Sequence, residues 1–332
     1  MTILTNTPRF PTEWAAKNGT RGRAMHANTL GGFLRHARAC DVVLIECNPR
    51  LLMMLAAAFT FLPFLKRPLV TVDIVLRKPV TIRQRLAWLP QRWLLSRVDH
   101  FMHYFTDLSG YQRYFGVGPE RSSFVPFKPN LRYRCEEGPQ PDGEYVLCFG
   151  HSMRDFDSFF DAVATLPYPA AIARPDMGQL RRHGSRFTRR PQDLPEQVRL
   201  IDHDPRDYAS QVKILRGAKM VVVPLLKTCL NMAGTPLNAM LLGKCVLLTE
   251  GPATNGLFTD EVLPIPAEDA KGLAAAIDRA WRDDALRERT AAAGYRYAMA
   301  LGGEPELRQR VIDRVAEWVA AARGPRASGP MV

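Results

Sequence analysis

The chain has 332 residues, of which 46% are apolar and 23% are charged, and it carries a formal net charge of +12. Because domains usually have about 100–200 residues, this length predicts two domains, each with its own hydrophobic core. The ordinary apolar and charged contents exclude a disordered, collagen-like or coiled-coil chain. The six cysteines include no C-x-x-C pair, so they predict reduced thiols rather than a disulfide framework or a zinc site.

The positive charge is concentrated in the first part of the chain. Residues 1–142 contain 20 Lys and Arg against 10 Asp and Glu, whereas residues 143–332 contain 25 against 23. This excess suggests nucleic acid, an anionic membrane surface or a phosphorylated substrate as partner, although a soluble basic surface explains any single charge equally well. The sequence has no RNA-binding, zinc-finger or helix-turn-helix motif, so nucleic acid is not the partner that we expect.

Neither a signal peptide nor a membrane-spanning helix is expected. The first ten residues lack a basic region followed by an apolar run. The longest uncharged run, residues 51–65, has 15 residues and contains Pro63, whereas a spanning helix needs about 20. The expected location is the cytoplasm, with peripheral association at the inner face of the cell membrane as a further option.

An N-terminal α/β domain is predicted for residues 1–134. Five short apolar runs predict its strands, at residues 2–4, 41–46, 69–73, 100–104 and 123–126. Residues 51–60 predict a buried helix because they directly follow the second strand.

A basic and aromatic segment follows, at residues 82–98. It mixes four arginines with Trp88, Leu89, Trp93 and Leu94. This pattern suits contact with an anionic membrane surface, or an internal helix with an arginine-rich outer face.

The second half of the chain has the pattern of a doubly wound parallel sheet. Residues 135–143 read as a Pro/Gly/Glu-rich linker, and residues 144–304 alternate strands with helices. Predicted strands lie at residues 145–149, 170–173, 198–201, 220–224, 245–249 and 262–265. Predicted helices lie near residues 155–165, 206–216, 236–242 and 269–281. The cleft between two such domains is the expected ligand site.

The C-terminus is predicted to form an amphipathic helix over residues 305–322 and a disordered tail over residues 323–332. The apolar stripe of that helix contains Leu307, Val311, Val315, Val319 and Ala322.

The most informative stretch is residues 221–260. A strand ends at Pro224, and a helix opens at Gly234-Thr235-Pro236, with Thr235 as the predicted N-cap and Pro236 at the first helical position. The free N–H groups at this helix start favour a phosphate, and Lys227 lies on the same loop. An ordinary capped helix with a solvated lysine explains the pattern equally well.

At this stretch the sequence resembles the C-terminal domain of GT-B glycosyltransferases, particularly the retaining family 4. Residues 237–246, LNAMLLGKCV, align without a gap with the family's helix, L-E-A-M-A-L-G-K-P-V. The two glutamates of the family's E-x7-E motif are replaced by Leu230 and Asn238. Residues 111–130, 146–162 and 265–289 resemble further family segments in the same order.

The resemblance implies a GT-B fold, with two Rossmann-like doubly wound domains facing a cleft. It implies a retaining glycosyltransferase that uses a nucleotide-diphosphate sugar as donor substrate, with no cofactor and with no metal strictly implied. The implied acceptor is a glycan or a lipid-linked molecule in cell-surface polysaccharide or glycolipid biosynthesis. The alternative is a catalytically degenerate binding or scaffolding protein, since both motif glutamates are missing.

The resemblance also implies a donor site on the C-terminal domain. Arg154 and Lys227, together with Gly234 and Thr235, are expected to stabilise the leaving diphosphate. Gly150 and His151 form the expected phosphate turn, and Asn238 replaces a ribose-binding glutamate. Arg154 has an alternative, an ion pair with Asp155 or Asp157.

Four further residues are candidates by their position at strand ends. Asp202 or His203 contacts the base, or both are exposed loop residues. The family's histidine near the transferred sugar is absent, and Asp73 takes its place, with Glu46 at the end of the neighbouring strand. The two carboxylates position an acceptor hydroxyl or stabilise positive charge at the sugar, or they cap loops. The basic residues 181–190 grip an anionic ligand or form a solvated loop.

Overall fold

A computed structural model describes residues 1–79, 81–131, 138–204, 207–231 and 234–323. The described residues form two compact units. The N-terminal unit contains residues 1–104, 108–126 and 305–323, and the C-terminal unit contains residues 105–107 and 127–304. Of the predicted linker, residues 135–137 lie outside the described residues, and so do residues 324–332 of the predicted tail.

The N-terminal unit is built on a seven-stranded sheet in the order β2-β3-β1-β4-β5-β6-β7. All neighbouring strands are parallel except the hairpin of β2 and β3. Its strands are β1 Thr2–Thr5, β2 Glu13–Ala15, β3 Arg21–His26, β4 Val42–Glu46, β5 Leu69–Val72, β6 His100–His103 and β7 Ser122–Phe124. The five strands predicted from the sequence are present. The β2–β3 hairpin was not predicted, because its charged and partly exposed residues lack an apolar run.

Helices cover the connections of this sheet. They are α1 Leu30–His36, α2 Pro49–Phe61, α3 Ile82–Leu95 and α4 Ser109–Phe115. The helix predicted over residues 51–60 is α2, which buries Leu51, Leu52, Leu55, Ala56 and Phe59. The prediction of a buried helix is confirmed for this face.

The C-terminal unit is built on a six-stranded parallel sheet in the order β10-β9-β8-β11-β12-β13. Its strands are β8 Tyr145–Cys148, β9 Ala170–Ala173, β10 Val198–Ile201, β11 Ala218–Val223, β12 Cys245–Thr249 and β13 Leu263–Ile265. All six predicted strands are present. Strands β8 and β12 are buried over their whole length, as expected for a parallel sheet covered on both faces.

The helices of this unit are α5 Phe156–Val163, α6 Met177–Arg182, α7 Tyr208–Arg216, α8 Thr235–Leu241, α9 Ala270–Arg282 and α10 Asp284–Leu301. The four predicted helices are α5, α7, α8 and α9, although Arg206, where one was expected to start, lies outside the described residues. Alternate residues of β11 enter opposite cores. Val221 packs in the core that contains α8, and Val222 packs in the core that contains α5 and α9. The doubly wound prediction is therefore confirmed.

The last helix, α11 Glu304–Arg323, belongs to the N-terminal unit from residue 305 onward. Leu307, Val311, Val315 and Val319 are buried as predicted. Ala322 is exposed, so its placement on the buried stripe was wrong, because it lies in the last turn of the helix.

No helix in the described part of the chain is sufficiently long and apolar to cross a membrane.

Each sheet has one position where successive connections leave in opposite directions. In the N-terminal unit β1 lies between β3 and β4, and in the C-terminal unit β8 lies between β9 and β11. Open parallel sheets bind ligands at the carboxyl ends of the strands that flank such a position. The loops after β1 and β4, and those after β8 and β11, are therefore the places to look for a site.

Candidate functional site

The loop after β8 forms a tight turn around a buried guanidinium. Gly150 has a φ of +98°, and a Cβ there would lie 2.5 Å from Arg154 NH2 and 2.8 Å from Thr235 Oγ1. Glycine is therefore required at this position both by the backbone conformation and by the close approach of Arg154.

Arg154 is completely buried and donates hydrogen bonds to oxygen atoms from two loops. Its Nε donates to Phe149 O at 3.0 Å, its NH1 to Ser152 O at 2.8 Å and its NH2 to Thr235 Oγ1 at 3.0 Å. No described carboxylate pairs with it. Burial lowers the pKa of Arg154, but a guanidinium stays protonated in proteins. The turn therefore encloses a positive charge that no described residue neutralises.

The alternative of an Arg154 ion pair with Asp155 or Asp157 is wrong. Asp155 accepts from Arg186, whose Nε lies 2.9 Å from Asp155 Oδ1, and Asp157 accepts from Thr188 N at 3.0 Å. Both carboxylates are used by the segment of residues 181–190.

Two arginines of the basic segment, residues 181–190, form ion pairs with α5 or its N-cap residue rather than being fully solvated. Arg186 pairs with Asp155, and Arg189 pairs with Asp161. These two arginines therefore act as structural partners of α5.

The turn after β8 is joined to the loop after β11. Arg154 and Leu225 form a backbone bridge, and Leu226 N donates to Met153 O at 3.0 Å. The next residue, Lys227, is exposed, and its N–H donates to Glu268 Oε1 at 3.0 Å. Lys227 therefore follows directly on the contact between the two loops.

Two residues at this junction have strained backbones. Met153 has a φ of +56° and Glu268 a φ of +55°. A positive φ is costly for residues other than glycine, and such strain clusters at functional sites. Glu268 was not predicted as a site residue, because its backbone conformation and its bond to Lys227 leave no pattern in the sequence.

The start of α8 differs from the prediction. Gly234 takes the N-cap position and Thr235 is the first helical residue, so the prediction of Thr235 as N-cap was wrong. The Thr235 hydroxyl accepts from Arg154 instead. Gly234 packs closely against residues 127–130, because a Cβ there would lie 2.9 Å from Asn130 Nδ2.

Asn238 is buried and connects α8 to the segment that enters the C-terminal unit. Its Oδ1 accepts from Asn130 N at 2.7 Å and from Leu131 N at 3.2 Å. The side-chain oxygen thus satisfies two backbone N–H groups. The ribose-binding role of Asn238 stays a prediction.

Three histidines lie around the same turn. The rings of His151 and His183 are 5.2 Å apart, and His203 packs against Phe149 at 5.9 Å. Partial burial and the positive charges of His183, Arg154 and His203 lower the pKa of His151, and burial lowers the pKa of His203. Both shifts favour the neutral ring at neutral pH. The sequence named His183 only as a member of the basic segment of residues 181–190.

Asp202 lies at the end of β10, and its carboxylate is fully exposed. It pairs with Arg174 from the end of β9, and this hydrogen bond lowers the pKa of Asp202. His203, the next residue, is half-buried, and its Nδ1 has no hydrogen-bond partner among the described residues. Contact of either residue with a base stays a prediction.

The N-terminal unit holds a second polar cluster at the ends of β1, β4 and β6. Glu46 Oε2 accepts from Thr7 Oγ1 at 2.6 Å and from Arg308 NH1 at 2.7 Å, and Tyr104 OH lies 3.5 Å from Oε1. The side chains of Glu46 and Arg308 are 13% and 11% exposed. Glu46 is thus the carboxylate of a nearly buried ion pair.

Asp73 follows β5 and lies beside this cluster. Cys47 Sγ donates to Asp73 Oδ2 at 3.4 Å, and both residues have a φ of +51°. Burial and the negative charge of Glu46 raise the pKa of Asp73 to about 6, although the bond from Cys47 opposes the rise. The structure therefore brings Glu46 and Asp73 together, as the sequence predicted from their positions at neighbouring strand ends.

Three solved structures illustrate the proteins that share this fold. Sucrose-phosphate synthase from Thermosynechococcus elongatus has a TM-score of 0.63 and 13% identity, covering 96% of this chain and 89% of that chain. HepE from Anabaena, in complex with UDP, has a TM-score of 0.65 and 15% identity, covering 89% and 86%. Trehalose-6-phosphate synthase from Burkholderia multivorans has a TM-score of 0.59 and 14% identity, covering 99% and 92%.

This chain has the GT-B fold. At these identities the likeness establishes the fold alone. No protein-family model matches the sequence, and no curated protein matches it.

The contacts of the described residues add five residues that the sequence did not single out. They are Thr7, Cys47, Tyr104 and Arg308 in the N-terminal unit and Glu268 in the C-terminal unit. His183 was named only within the basic segment of residues 181–190. In the part of the GT-B chain that the structure describes, no group of three His, Cys, Asp or Glu is placed to hold a metal ion.

Proposed function

We propose that this protein is a retaining glycosyltransferase that moves a sugar from a nucleotide-diphosphate sugar to a glycan or lipid-linked acceptor. Such an activity fits a role in cell-surface polysaccharide or glycolipid biosynthesis. The retaining outcome rests on the sequence resemblance to family 4. HepE from Anabaena has been solved in complex with UDP and with UDP-glucose, which supports the same class of donor here.

One observation carries the proposal. The turn after β8 encloses the guanidinium of Arg154, which has no described carboxylate partner, at the position where parallel sheets bind ligands. An enclosed positive charge is expensive unless an anion offsets it. A diphosphate bound over the turn supplies that anion.

The roles of the donor-site residues follow from their exposure. Arg154 is enclosed, so it acts as a positioning residue: it holds the turn and acts on the diphosphate through its electric field. Lys227 and His151 are exposed on the two joined loops and are the groups that contact the diphosphate. When the bond between the sugar and the diphosphate breaks, its electron pair stays on the diphosphate, and fixed positive charge lowers the energy of that state.

The N-terminal unit provides the groups for the acceptor. The acceptor hydroxyl oxygen forms the new bond to the sugar, and its proton must leave. Asp73, with a pKa of about 6, is ionised at neutral pH and can accept this proton. Glu46 is held by Arg308 and Thr7, so it keeps the cluster ordered and adds negative charge near the reacting sugar.

The test is a donor screen. The protein is mixed with a panel of nucleotide-diphosphate sugars, and thermal shift reports binding while nucleoside diphosphate release reports turnover. We expect one donor to raise the melting temperature and to release its nucleoside diphosphate slowly without an acceptor. Lys227→Ala should weaken donor affinity about tenfold, by loss of one charged contact of about 1.4 kcal/mol.

Lys213 on α7 is the matched control, because it is an exposed lysine in the last turn of the helix that leads to the start of β11, whereas Lys227 follows the end of that strand. Lys213→Ala should bind donor as the wild type does. Donor binding without any release of nucleoside diphosphate, even with membrane-extracted acceptors, would favour the catalytically degenerate binding protein. No binding of any donor would refute both.

A further inference from the structure

The large apolar side chains that reach solvent are concentrated in one part of the N-terminal unit. Among the described residues nine large hydrophobic side chains are exposed, and eight of them lie between Met54 and Trp93. The ninth is Tyr208 of the C-terminal unit. Single exposed apolar residues are ordinary, but a concentration of them marks an interaction surface.

Helix α3 carries four of these residues on one face. Ile82, Leu86, Leu89 and Trp93 are spaced as neighbours along a helix surface, and they are 77%, 64%, 57% and 43% exposed. The opposite face packs inward through Leu95, which is fully buried. A helix whose outer stripe is apolar is the reverse of the pattern expected at a water-exposed surface.

Helix α3 is stabilised at its start by contacts that do not depend on burial of the apolar stripe. Thr81 Oγ1 accepts from Gln84 N at 3.2 Å, and the Gln84 side chain accepts from Thr81 N at 3.2 Å. This capping box stabilises the first turn from local sequence alone. Helix α3 therefore presents its apolar stripe as a formed element.

The charge around the stripe is positive. Residues 51–98 contain eight Lys and Arg against one acidic residue, Asp73, which belongs to the polar cluster at the strand ends. Arg83, Arg85, Arg92 and Arg97 are exposed, and none of the four forms an ion pair with a described residue. Arg97 instead lies over the ring of Trp93, 4.9 Å from its centre.

Further exposed apolar side chains lie at the end of the neighbouring helix. Helix α2 packs beside α3, and Phe61 at its end and Phe64 just after it are 74% and 60% exposed. Arg38 lies over the Phe64 ring at 5.4 Å. The pairing of aromatic or aliphatic side chains with arginine therefore recurs on both elements.

We propose that α3, with Phe61 and Phe64, is a docking surface for an anionic phospholipid bilayer. The apolar side chains insert at the level of the headgroups while the arginines pair with lipid phosphates. Positive charge of this density complements an anionic bilayer. It argues against a second copy of this chain, because a symmetric contact would bring like charges together.

The candidate acceptor residue Asp73 and the docking surface on α3 are close in the sequence. Only residues 74–81 separate Asp73 from the start of α3. Docking through α3 therefore places a helix that begins nine positions after a candidate acceptor carboxylate at the lipid surface. This inference concerns binding to lipid and holds whether or not the chain transfers a sugar.

The test is co-sedimentation of the full chain with vesicles made of equal parts phosphatidylcholine and phosphatidylserine, and with vesicles of phosphatidylcholine alone. We expect binding to the anionic vesicles and at least tenfold weaker binding to the neutral ones. The double variant Arg83→Glu and Arg85→Glu should lower the partition coefficient at least tenfold. The double variant Leu86→Ser and Leu89→Ser, which keeps the charge, should lower it by a similar factor.

A matched control uses exposed arginines of the other unit. Arg289→Glu with Arg296→Glu on α10 makes the same change in net charge and should bind as the wild type does. Equal loss in this control, equal binding to neutral vesicles, or no vesicle binding by the wild type would overturn the proposal. If the wild type forms a dimer and the Leu86→Ser and Leu89→Ser variant is a monomer, the surface is a dimer interface instead. If the wild type binds RNA but no vesicles, the surface is an RNA-binding surface instead.

Discussion

The carboxyl ends of the two sheets carry opposite charges. In the C-terminal unit the loops after β8 and β11 hold the enclosed Arg154, the exposed Lys227 and neutral histidines. In the N-terminal unit the ends of β4 and β5 hold Glu46 and Asp73, with Arg308 as the only cation bonded to Glu46 among the described residues. Similar parallel sheets thus place a cationic edge in one unit and a carboxylate edge in the other.

The net charge of a region therefore does not predict the charge at the ends of its strands. The N-terminal part of the chain has the basic excess, yet the ends of its strands are acidic. Four of its arginines, Arg83, Arg85, Arg92 and Arg97, are instead exposed in or just after α3. The C-terminal part is nearly neutral, yet its sheet edge encloses an unneutralised cation.

The largest expected effect comes from Asp73→Asn. Asparagine tolerates a positive φ, and its oxygen can still accept from Cys47, so the fold should persist. Loss of the proton acceptor should lower turnover about 100-fold or more. Turnover of the wild type should also rise with pH through about 6, where Asp73 ionises, and the variant should lack that step.

The same variant has an opposite effect on stability. Because the pKa of Asp73 is raised in the folded state, the wild type loses stability as pH rises from about 4 to about 6 and stays level above that. Asp73→Asn should therefore raise the free energy of unfolding by about 1 kcal/mol at pH 7 and leave it unchanged at pH 3. A variant that is less stable at both pH values, with unchanged turnover, would show that Asp73 only caps its loop.

The cationic edge is tested by Arg154→Met. We expect a loss of about 100-fold in turnover, because the field on the leaving diphosphate is removed. The affinity for a nucleoside diphosphate should fall more than the affinity for the free nucleoside, measured by calorimetry. A purely structural role would weaken both alike.

Arg154→Lys is the companion variant, since it keeps the charge but cannot reach Phe149 O, Ser152 O and Thr235 Oγ1 together. It should recover much of the affinity for the diphosphate. If it behaves as Arg154→Met does, the hydrogen bonds rather than the charge are what matter.

A smaller effect, on stability, is expected from Arg308→Met. Removing Arg308 leaves the carboxylate of Glu46 nearly buried without its cation, which should cost about 2–3 kcal/mol in the free energy of unfolding. Arg314→Met on the same helix is the control, because its pair with Glu317 is half exposed and should cost no more than about 0.5 kcal/mol. The free energies of unfolding of the two variants are measured by urea denaturation. Equal losses in the two variants would mean that the pair of Glu46 and Arg308 contributes no more than a surface ion pair does.

The smallest effect is expected from the pair Asn238→Ala and Asn238→Asp. Alanine leaves the N–H groups of Asn130 and Leu131 without an acceptor, at a cost of about 1–2 kcal/mol, whereas aspartate keeps an acceptor oxygen in the same place. Melting temperatures should fall for the first variant and change little for the second. A further loss of donor affinity in Asn238→Ala, beyond its loss of stability, would support the ribose role.

Much of the fold was predictable from local pattern. The strands of the C-terminal unit are short apolar runs, and five of the seven strands of the N-terminal unit are the same kind of run. The β2–β3 hairpin was not predicted, because it lies at the edge of its sheet, where charged residues are tolerated and no apolar run is needed. Helix α11 was predicted as an element, but nothing in its own sequence shows that it joins the N-terminal unit.

The order of the elements in the sequence predicts which candidate residues lie at strand ends. Gly150 and Arg154 follow one strand, Lys227 follows another, Glu46 ends a third and Asp73 follows a fourth. The partners of these groups could not be predicted from the sequence. Arg154 finds Thr235, 81 positions away, rather than its neighbour Asp155, and Glu46 finds Arg308, 262 positions away. The physical reason is that strand and helix patterns are local, whereas the charge of a buried group depends on the partners that distant segments bring to it.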